Sequence, residues 1–303
     1  MELSNKVAVV TGSGRGLGLA YVTALAKAGA SVIVNDVDEA AAHAAVDHIA
    51  SRGGKAKAVV SPVGDLATAE SLVSAALEEF GRLDIMVTNA GILRDKVLWK
   101  MSEGDFDDVI NVHLKGTFTC ARAAAIQMRK QGSGGRLILV SSPAGQRGNF
   151  GQGNYAAAKA GIVSMARTWA LELAKSDITV NAVVPVAATE MTKTIPVFAP
   201  FIEESERTGS PLPEWMRKGE GMGTAQDAAG LVVFLASDES SGITGQAIGI
   251  GGDKLSLWSH PTEIVREYHE GGWTADGIAV SWILGGSREL ETFGIPAPKI
   301  VGS

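Results

Sequence analysis

Tyr155 and Lys159 stand four residues apart in Tyr155-Ala156-Ala157-Ala158-Lys159. On a helix that spacing puts both side chains on one face, one turn apart, where they can share a pocket. A phenol with a pKa of about 10 exchanges protons poorly near neutrality until a cation sits beside it. The pair therefore reads as a proton-transfer group with the device that tunes it. Ser142, thirteen residues before Tyr155, follows the apolar run Leu137-Ile138-Leu139-Val140-Ser141, which reads as a buried strand. Open α/β sheets place their chemistry at the carboxyl ends of such strands.

A second group of residues could hold a dinucleotide. Gly12, Gly14, Gly16 and Gly18 crowd the turn Thr11-Gly12-Ser13-Gly14-Arg15-Gly16-Leu17-Gly18, between a β-branched run and a helical stretch. Such a turn lets the backbone approach a pyrophosphate, and the helix behind it offers free amides and a partial positive charge. The next strand, Ser31 to Asp36, ends on a carboxylate eighteen residues past Gly18. Asp36 can accept both ribose hydroxyls of an adenosine and would repel a 2'-phosphate, which favours NAD over NADP. Arg15, a cation within the turn, pulls the other way. Asp36 is weighted more heavily, because an unpaired repulsion is harder to accommodate than a solvated arginine.

The elements that must position these groups alternate. Strands are expected at Val7 to Val10, Ser31 to Asp36, Ala56 to Ser61, Ile85 to Val87, Leu137 to Ser141, Ile178 to Val184 and Gln246 to Gly251. Helices are expected at Leu19 to Gly29, 39–51, Ala67 to Phe80, 103–130 with a break near Gly116, 155–175 and Ala225 to Ser237. Strand and helix in strict alternation predict a Rossmann-type, doubly wound parallel sheet of about seven strands in a single domain, 1–253.

Regularity fails after Pro185. Residues 186–224 carry Pro196, Pro200, Pro211 and Pro213, with Met191, Val197, Phe198, Phe201, Leu212, Trp215 and Met222 among charges. A stretch this long and this apolar is expected to be a substrate lid. Residues 254–303 exceed what the sheet needs. They hold Trp258, Trp273, Trp282 and a possible helix from Thr262 to Glu270, and read as an extension packed on the domain or on a neighbouring subunit.

Composition excludes several classes. The 303 residues are 46% hydrophobic and 20% charged with a net charge of -6, and no long basic run recommends nucleic acid or an anionic membrane as partner. No apolar stretch reaches the length of a membrane-spanning helix and no secretory leader is apparent. The single cysteine, Cys120, cannot form an internal disulfide and fits a buried thiol in a reducing compartment, so a cytoplasmic location is expected. His113 reads as a structural helix residue, and no His, Cys or carboxylate cluster has metal-ligand spacing.

Taken together, Thr11-Gly12 with Gly16-Leu17-Gly18, Asn89-Ala90-Gly91, Asn111, Ser142, Tyr155, Lys159 and the strand end at Pro185 resemble, in order and spacing, the short-chain dehydrogenase/reductase family over about residues 3–253. The resemblance implies that Tyr155 exchanges the substrate hydroxyl proton, Lys159 lowers its pKa and binds the nicotinamide ribose, Ser142 bonds the substrate oxygen, and Asn111 holds a water linking Lys159 to solvent. It further implies cofactor contacts from Gly12, Arg15, Gly16, Leu17, Gly18, Asp36, Val63, Asn89, Ala90, Gly91, Tyr155, Lys159, Pro185, Thr189 and Met191, and assembly as a homotetramer.

A narrower likeness lies in Asn35-Asp36, Ala90 to Lys96, Val112 to Phe118 and Gly148 to Tyr155, which look like the hydroxyacyl-CoA dehydrogenase domain of peroxisomal multifunctional enzymes of type 2. It implies an NAD-dependent oxidoreductase of lipid metabolism, acting on a 3-hydroxyacyl-CoA or a lipid- or steroid-type alcohol. Arg94 and Lys96 could then meet a CoA phosphate, although solvated surface charge is the better explanation, since charged side chains are normally exposed. The alternatives are an NADPH-dependent 3-oxoacyl-carrier-protein reductase and a catalytically silent dinucleotide-binding regulator. Pro62 stands where the family has an adenine-contacting aspartate, leaving that contact to Val63; Thr88 and Val186 replace an asparagine and a glycine, and residues 37–41 lack a glycine-containing insertion of the multifunctional enzyme.

Overall fold

The computed structural model describes residues 1–193, 197–284 and 290–295, with 190, 191 and 284 given by backbone alone. Four short strands, β1 (Val7–Val10), β2 (Ser31–Asp36), β3 (Lys55–Val60) and β4 (Ile85–Thr88), form one half of the sheet. The other half is β5 (Gly135–Val140), β6 (Ile178–Pro185), β7 (Ala247–Gly251) and β8 (Lys254–Trp258). The order is β3-β2-β1-β4-β5-β6-β7-β8, all pairs parallel except β7 with β8. Central strands are covered on both faces, so they read as unbroken apolar runs; every residue of β1 and β4 is buried, as are Ile178 to Val184 of β6.

Helices α1 (Gly16–Lys27), α2 (Glu39–Ala50) and α3 (Leu66–Phe80) follow the first three strands. Then come α4 (Glu103–Val109), a π-helical turn (Ile110–Lys115) and α5 (Gly116–Gln131), which together form one rod, and α6 (Pro143–Arg147) and α7 (Gly153–Leu173) after β5. Asp38 and Asp65 start α2 and α3 by accepting from Ala41 and Thr68 amides, and Gly81 and Gly132, in left-handed conformation, stop α3 and α5. Residues from α3, α5 and α7 build the core on one face of the sheet. The other face is covered by α1, α2 and α10 (Ala225–Ala236).

Three expectations are corrected here. Residues 186–224 are not an irregular loop: they fold as α8 (Glu190–Lys193), α9 (Ala199–Thr208) and a π-helical turn, Trp215–Glu220. Phe198, Ile202, Leu212, Met216 and Met222 make a small core of their own, with Trp215 stacked on Phe198 and edge-on to Phe201. Pro196 lies outside the described residues. The rod at 103–130 does not break near Gly116; the π-helical turn ends there and absorbs the irregularity.

The third correction concerns the end of the chain. The sheet has eight strands rather than about seven, because Gly252-Asp253 turns the chain back and β8 pairs antiparallel with β7. Gly252 has φ +52, which a two-residue hairpin turn favours. No helix forms at 262–270; those residues are exposed, and a short segment with no face to bury is marginal as a helix. The helix of this region is α11 (Ala275–Leu284), whose start is fixed by Thr274 accepting from the Gly277 and Ile278 amides. Trp258 packs against the core, whereas Trp273 and Trp282 are exposed.

Candidate functional site

β1 pairs with both β2 and β4, so the strand order reverses there and opens a crevice at the carboxyl ends. The glycine turn lies in this crevice. A Cβ on Gly12 would stand 2.7 Å from Cα of Ala90, and one on Gly18 would stand 2.1 Å from the Gly12 carbonyl oxygen. Side chains are excluded there, which leaves backbone facing the crevice. Gly16 opens α1 at φ +56 with Leu17 in the first turn, and Arg15, before them, makes no side-chain cap. The amides of a twelve-residue helix are thus left for an anion. Asn89 secures the turn by donating to the Thr11 and Gly12 carbonyls, while the Asn89 and Ala90 amides both donate to the Thr11 hydroxyl.

At the end of β2 the Asp36 carboxylate accepts from the Gly14 amide at 2.9 Å and from the Asp38 amide at 3.1 Å, one on each oxygen. Each oxygen keeps a lone pair for a hydroxyl donor. Arg15 does not stand free in the turn: its guanidinium is paired with Asp38. Val63 packs beneath Gly116, where a Cβ would come within 2.9 Å of Cγ2. On the far side of the crevice β6 ends at Pro185, the Thr189 amide donates to the Thr192 hydroxyl at 2.7 Å, and Met191 follows in α8, its side chain outside the described residues. The cradle, the uncapped helix start and the carboxylate at the strand end fit a nicotinamide dinucleotide.

Ser142, Tyr155 and Lys159 come together at the end of β5. Ser142 caps α6, and its oxygen accepts from the Ala144 amide at 3.2 Å. α6 lies directly on α7 because Gly145 has no side chain; a Cβ would stand 2.5 Å from the Lys159 carbonyl carbon. Ser141 ties the same two elements by donating to the Lys159 carbonyl at 2.8 Å. At the start of α7, fully buried Asn154 accepts from the Tyr155 amide and donates to the Arg94 and Asp105 carbonyls, so three segments are fixed around the phenol.

The Lys159 ammonium is buried, donates to the Val140 carbonyl at 2.6 Å, and sits 5.6 Å from the centroid of the Tyr155 ring. Burial lowers its pKa to about 7. Tyr155 is half-buried beside these groups. Burial raises its pKa, the hydrogen bond with Ser142 opposes that, and the nearby Asp95 carboxylate adds to it. Desolvation of the phenol is the largest of these effects.

Asn111 lies on the π-helical turn with an exposed side chain that stands against Gly64, 2.6 Å from where a Cβ would be. The group that faces Tyr155 is His113, two residues on. Its ring meets the Tyr155 ring edge-on with centroids 5.1 Å apart, and it is 2% exposed. A π-helical turn carries one more residue than an α turn and so re-aims the side chains along it, which is why such turns recur at functional sites. The His113 Nε2 lies against the Ile92 backbone, which holds the ring as a structural helix residue, and Gly91, with no side chain, makes room for it.

Arg94 and Lys96 are committed to ion pairs with Asp108 at 3.5 Å and Asp105 at 2.8 Å. Cys120 is buried and its thiol is pushed up to about 12, as an inert core residue requires. Among the described residues there is no cluster that could hold a metal ion, and no helix is long and apolar enough to cross a membrane. Segment 292–294 reaches back to α6: Arg147 donates to the Thr292 and Gly294 carbonyls and accepts from the Gly294 amide.

Comparison with known proteins agrees with this geometry. The family model described as enoyl-(acyl carrier protein) reductase matches residues 12–252. A 3-oxoacyl-[acyl-carrier-protein] reductase of Thermotoga maritima is 40% identical over 83% of this chain and 98% of its own length. The peroxisomal multifunctional enzyme type 2 of Drosophila melanogaster is 45% identical over 64% of this chain, which spans 33% of that protein. The crystal structure of a short chain dehydrogenase from Mycobacterium avium superposes with a TM-score of 0.80 at 34% identity, covering 100% of both chains. The crevice at the strand reversal, the glycine cradle and the matches along nearly the whole sheet lead to one conclusion: this chain belongs to the short-chain dehydrogenase/reductase family and is an oxidoreductase acting on CH–OH groups.

Proposed function

We propose that the protein is an NAD-dependent dehydrogenase/reductase that interconverts a 3-hydroxyacyl and a 3-oxoacyl thioester. One observation carries the cofactor assignment: Asp36 is held at the ribose end of the glycine turn by the Gly14 amide, and Arg15, the cation that could receive a 2'-phosphate, is already paired with Asp38. When bound, the nicotinamide supplies the hydride acceptor or donor. Tyr155 exchanges the proton of the substrate hydroxyl, Ser142 hydrogen-bonds the same oxygen, and the Lys159 cation stabilises the phenolate once substrate and dinucleotide are in place. Gly12, Gly16, Leu17 and Gly18 hold the pyrophosphate and Val63 borders the adenine. Asn89 to Gly91, Pro185, Thr189 and Met191 border the nicotinamide side.

Residues 186–224, with their own apolar core, form the cover over the acyl group. The CoA thioester is favoured by the likeness of Ala90 to Lys96 and Gly148 to Tyr155 to hydroxyacyl-CoA dehydrogenase domains. Because Arg94 and Lys96 already have carboxylate partners, recognition of the CoA phosphates falls to other residues. Assembly as a homotetramer and a cytoplasmic location belong to the same reading.

A second reading, an NADPH-dependent reductase of 3-oxoacyl carrier protein, is favoured by the name of the Thermotoga maritima relative, which matches over 98% of its length. The two separate in one experiment. Binding of NADH and NADPH is followed by fluorescence, and turnover is measured with acetoacetyl-CoA and with acetoacetyl carrier protein. Tighter NADH binding and faster turnover of the CoA thioester are expected. Tighter NADPH binding with preference for the carrier protein overturns the proposal in favour of the second reading.

A further inference from the structure

Helix α6 is only five residues long, yet it joins Ser142 to the loop that leads to Tyr155. Ser142 caps its start, and the chain that leaves Arg147 at its other end runs through Gly148 to Asn154 into Tyr155. A helix of this length does not hold its own shape in water, and its last carbonyls have no partner within it. What fixes α6 and the loop behind it must therefore come from elsewhere in the fold.

Gly145 supplies one attachment by letting α6 lie on α7. The loop is tied to the segment after β4 by the Lys96 amide, which donates to the Gly151 carbonyl at 2.8 Å, and by the Gln152 side chain, which donates to the Asp95 carboxylate at 2.7 Å. The remaining attachment is the end of the chain. Arg147 donates through Nε to the Gly294 carbonyl at 2.9 Å, and through Nη2 to the Thr292 carbonyl at 3.2 Å and hydroxyl at 3.0 Å. Its own carbonyl, left open at the end of α6, accepts from the Gly294 amide at 2.7 Å. Gly294 presents both its amide and its carbonyl to one residue in a left-handed conformation, φ +80, that side chains strain to adopt.

None of residues 290–295 is buried, and Phe293 is 94% exposed, so apolar packing does not hold this segment down. Among the described residues its hydrogen bonds to the domain all run to Arg147.

We infer that Arg147 is a positioning residue: by clasping Thr292 and Gly294 it makes the end of the chain a strap on α6, which holds Ser142 and the loop to Tyr155 in their working arrangement. The inference rests on the proposed roles of Ser142 and Tyr155, and it gives the C-terminal extension a part in the reaction.

Full-length variants test it. Arg147→Ala removes the guanidinium from α6; Gly294→Val strains the strap from its own side and leaves α6 untouched; a further variant combines them. Hydrogen exchange of segment 142–155 is read by mass spectrometry without substrate or cofactor. It is expected to quicken about tenfold in each single variant and no further in the double, since both break one contact, while β1 and β4 exchange as in the parent. Turnover is measured with whichever of acetoacetyl-CoA and acetoacetyl carrier protein the parent reduces faster. In all the variants kcat should fall about tenfold, as for a small misplacement of reacting groups, while KM for the thioester stays within about twofold. If Gly294→Val matches the parent while Arg147→Ala does not, the arginine acts within α6 and the inference is wrong. It is equally wrong if exchange quickens and kcat does not fall, or if neither changes. A parent that reduces neither thioester overturns the function proposed above, and the exchange measurement then decides the strap by itself.

Discussion

A Cβ on Gly91 would stand 2.2 Å from Cε1 of His113. The glycine that ends Asn89-Ala90-Gly91 therefore serves the histidine as well as the dinucleotide crevice: the buried ring occupies the space where its side chain would be. Gly91→Ala is expected to displace the ring from Tyr155 and to destabilise the fold by about 1–3 kcal/mol, the usual cost of overpacking. Chemical denaturation reads the loss, and adding His113→Ala to the same chain should recover most of it.

Tyr155→Phe removes the proposed proton-transfer group and leaves the glycine turn, Asp36 and Lys159 in place. Turnover is expected to fall by roughly two to four orders of magnitude, the usual contribution of a positioned acid–base group. The dissociation constant of NADH, followed by its fluorescence, should stay within about twofold. Turnover at the parental rate would remove Tyr155 from the mechanism.

Asp38 has two duties, pairing with Arg15 and capping α2. Asp38→Asn keeps a capping side chain and releases the guanidinium. NADPH binding should then tighten relative to NADH binding, by roughly severalfold for one exposed charge. Unchanged selectivity would mean that Asp36 alone sets it.

His113 also makes stability depend on pH. Its pKa falls from 6.5 in the unfolded chain to about 3 in the folded one, because burial and Lys159 disfavour the imidazolium. Between those values the unfolded chain binds the extra proton, so the residue's contribution to stability is intact above pH 6.5 and is lost progressively as pH falls toward 3. His113→Asn removes this dependence. Urea denaturation of both chains at neutral and mildly acidic pH should show the parent losing more stability on acidification. Parallel losses in the two chains would show that His113 does not titrate in this way.

Much of the site can be read directly along the chain. Tyr155 and Lys159 share a helix face by spacing alone, the glycine turn declares itself by residues that only a close backbone approach requires, and Asp36 is marked by ending its strand. These are local rules, set by helical and strand periodicity, and they also determine the alternation that yields a parallel sheet. Caps such as Asp65 and stops such as Gly81 are equally local.

What tertiary structure decided involves groups distant in sequence. Asn111 and His113 are two residues apart on one rod, and only the packing of a π-helical turn against Gly64 on one side and Gly91 on the other settles which faces Tyr155. The pairing of Arg15 with Asp38, the upward pKa of Tyr155 and the return of segment 292–294 to Arg147 likewise depend on burial and contact across the fold. So does β8, whose place in the sheet comes from pairing with β7. The sequence alone determined the fold and pointed to Ser142, Tyr155 and Lys159 as a candidate site; the tertiary structure decided what surrounds them, because burial and desolvation act through neighbours that spacing along a chain does not reveal.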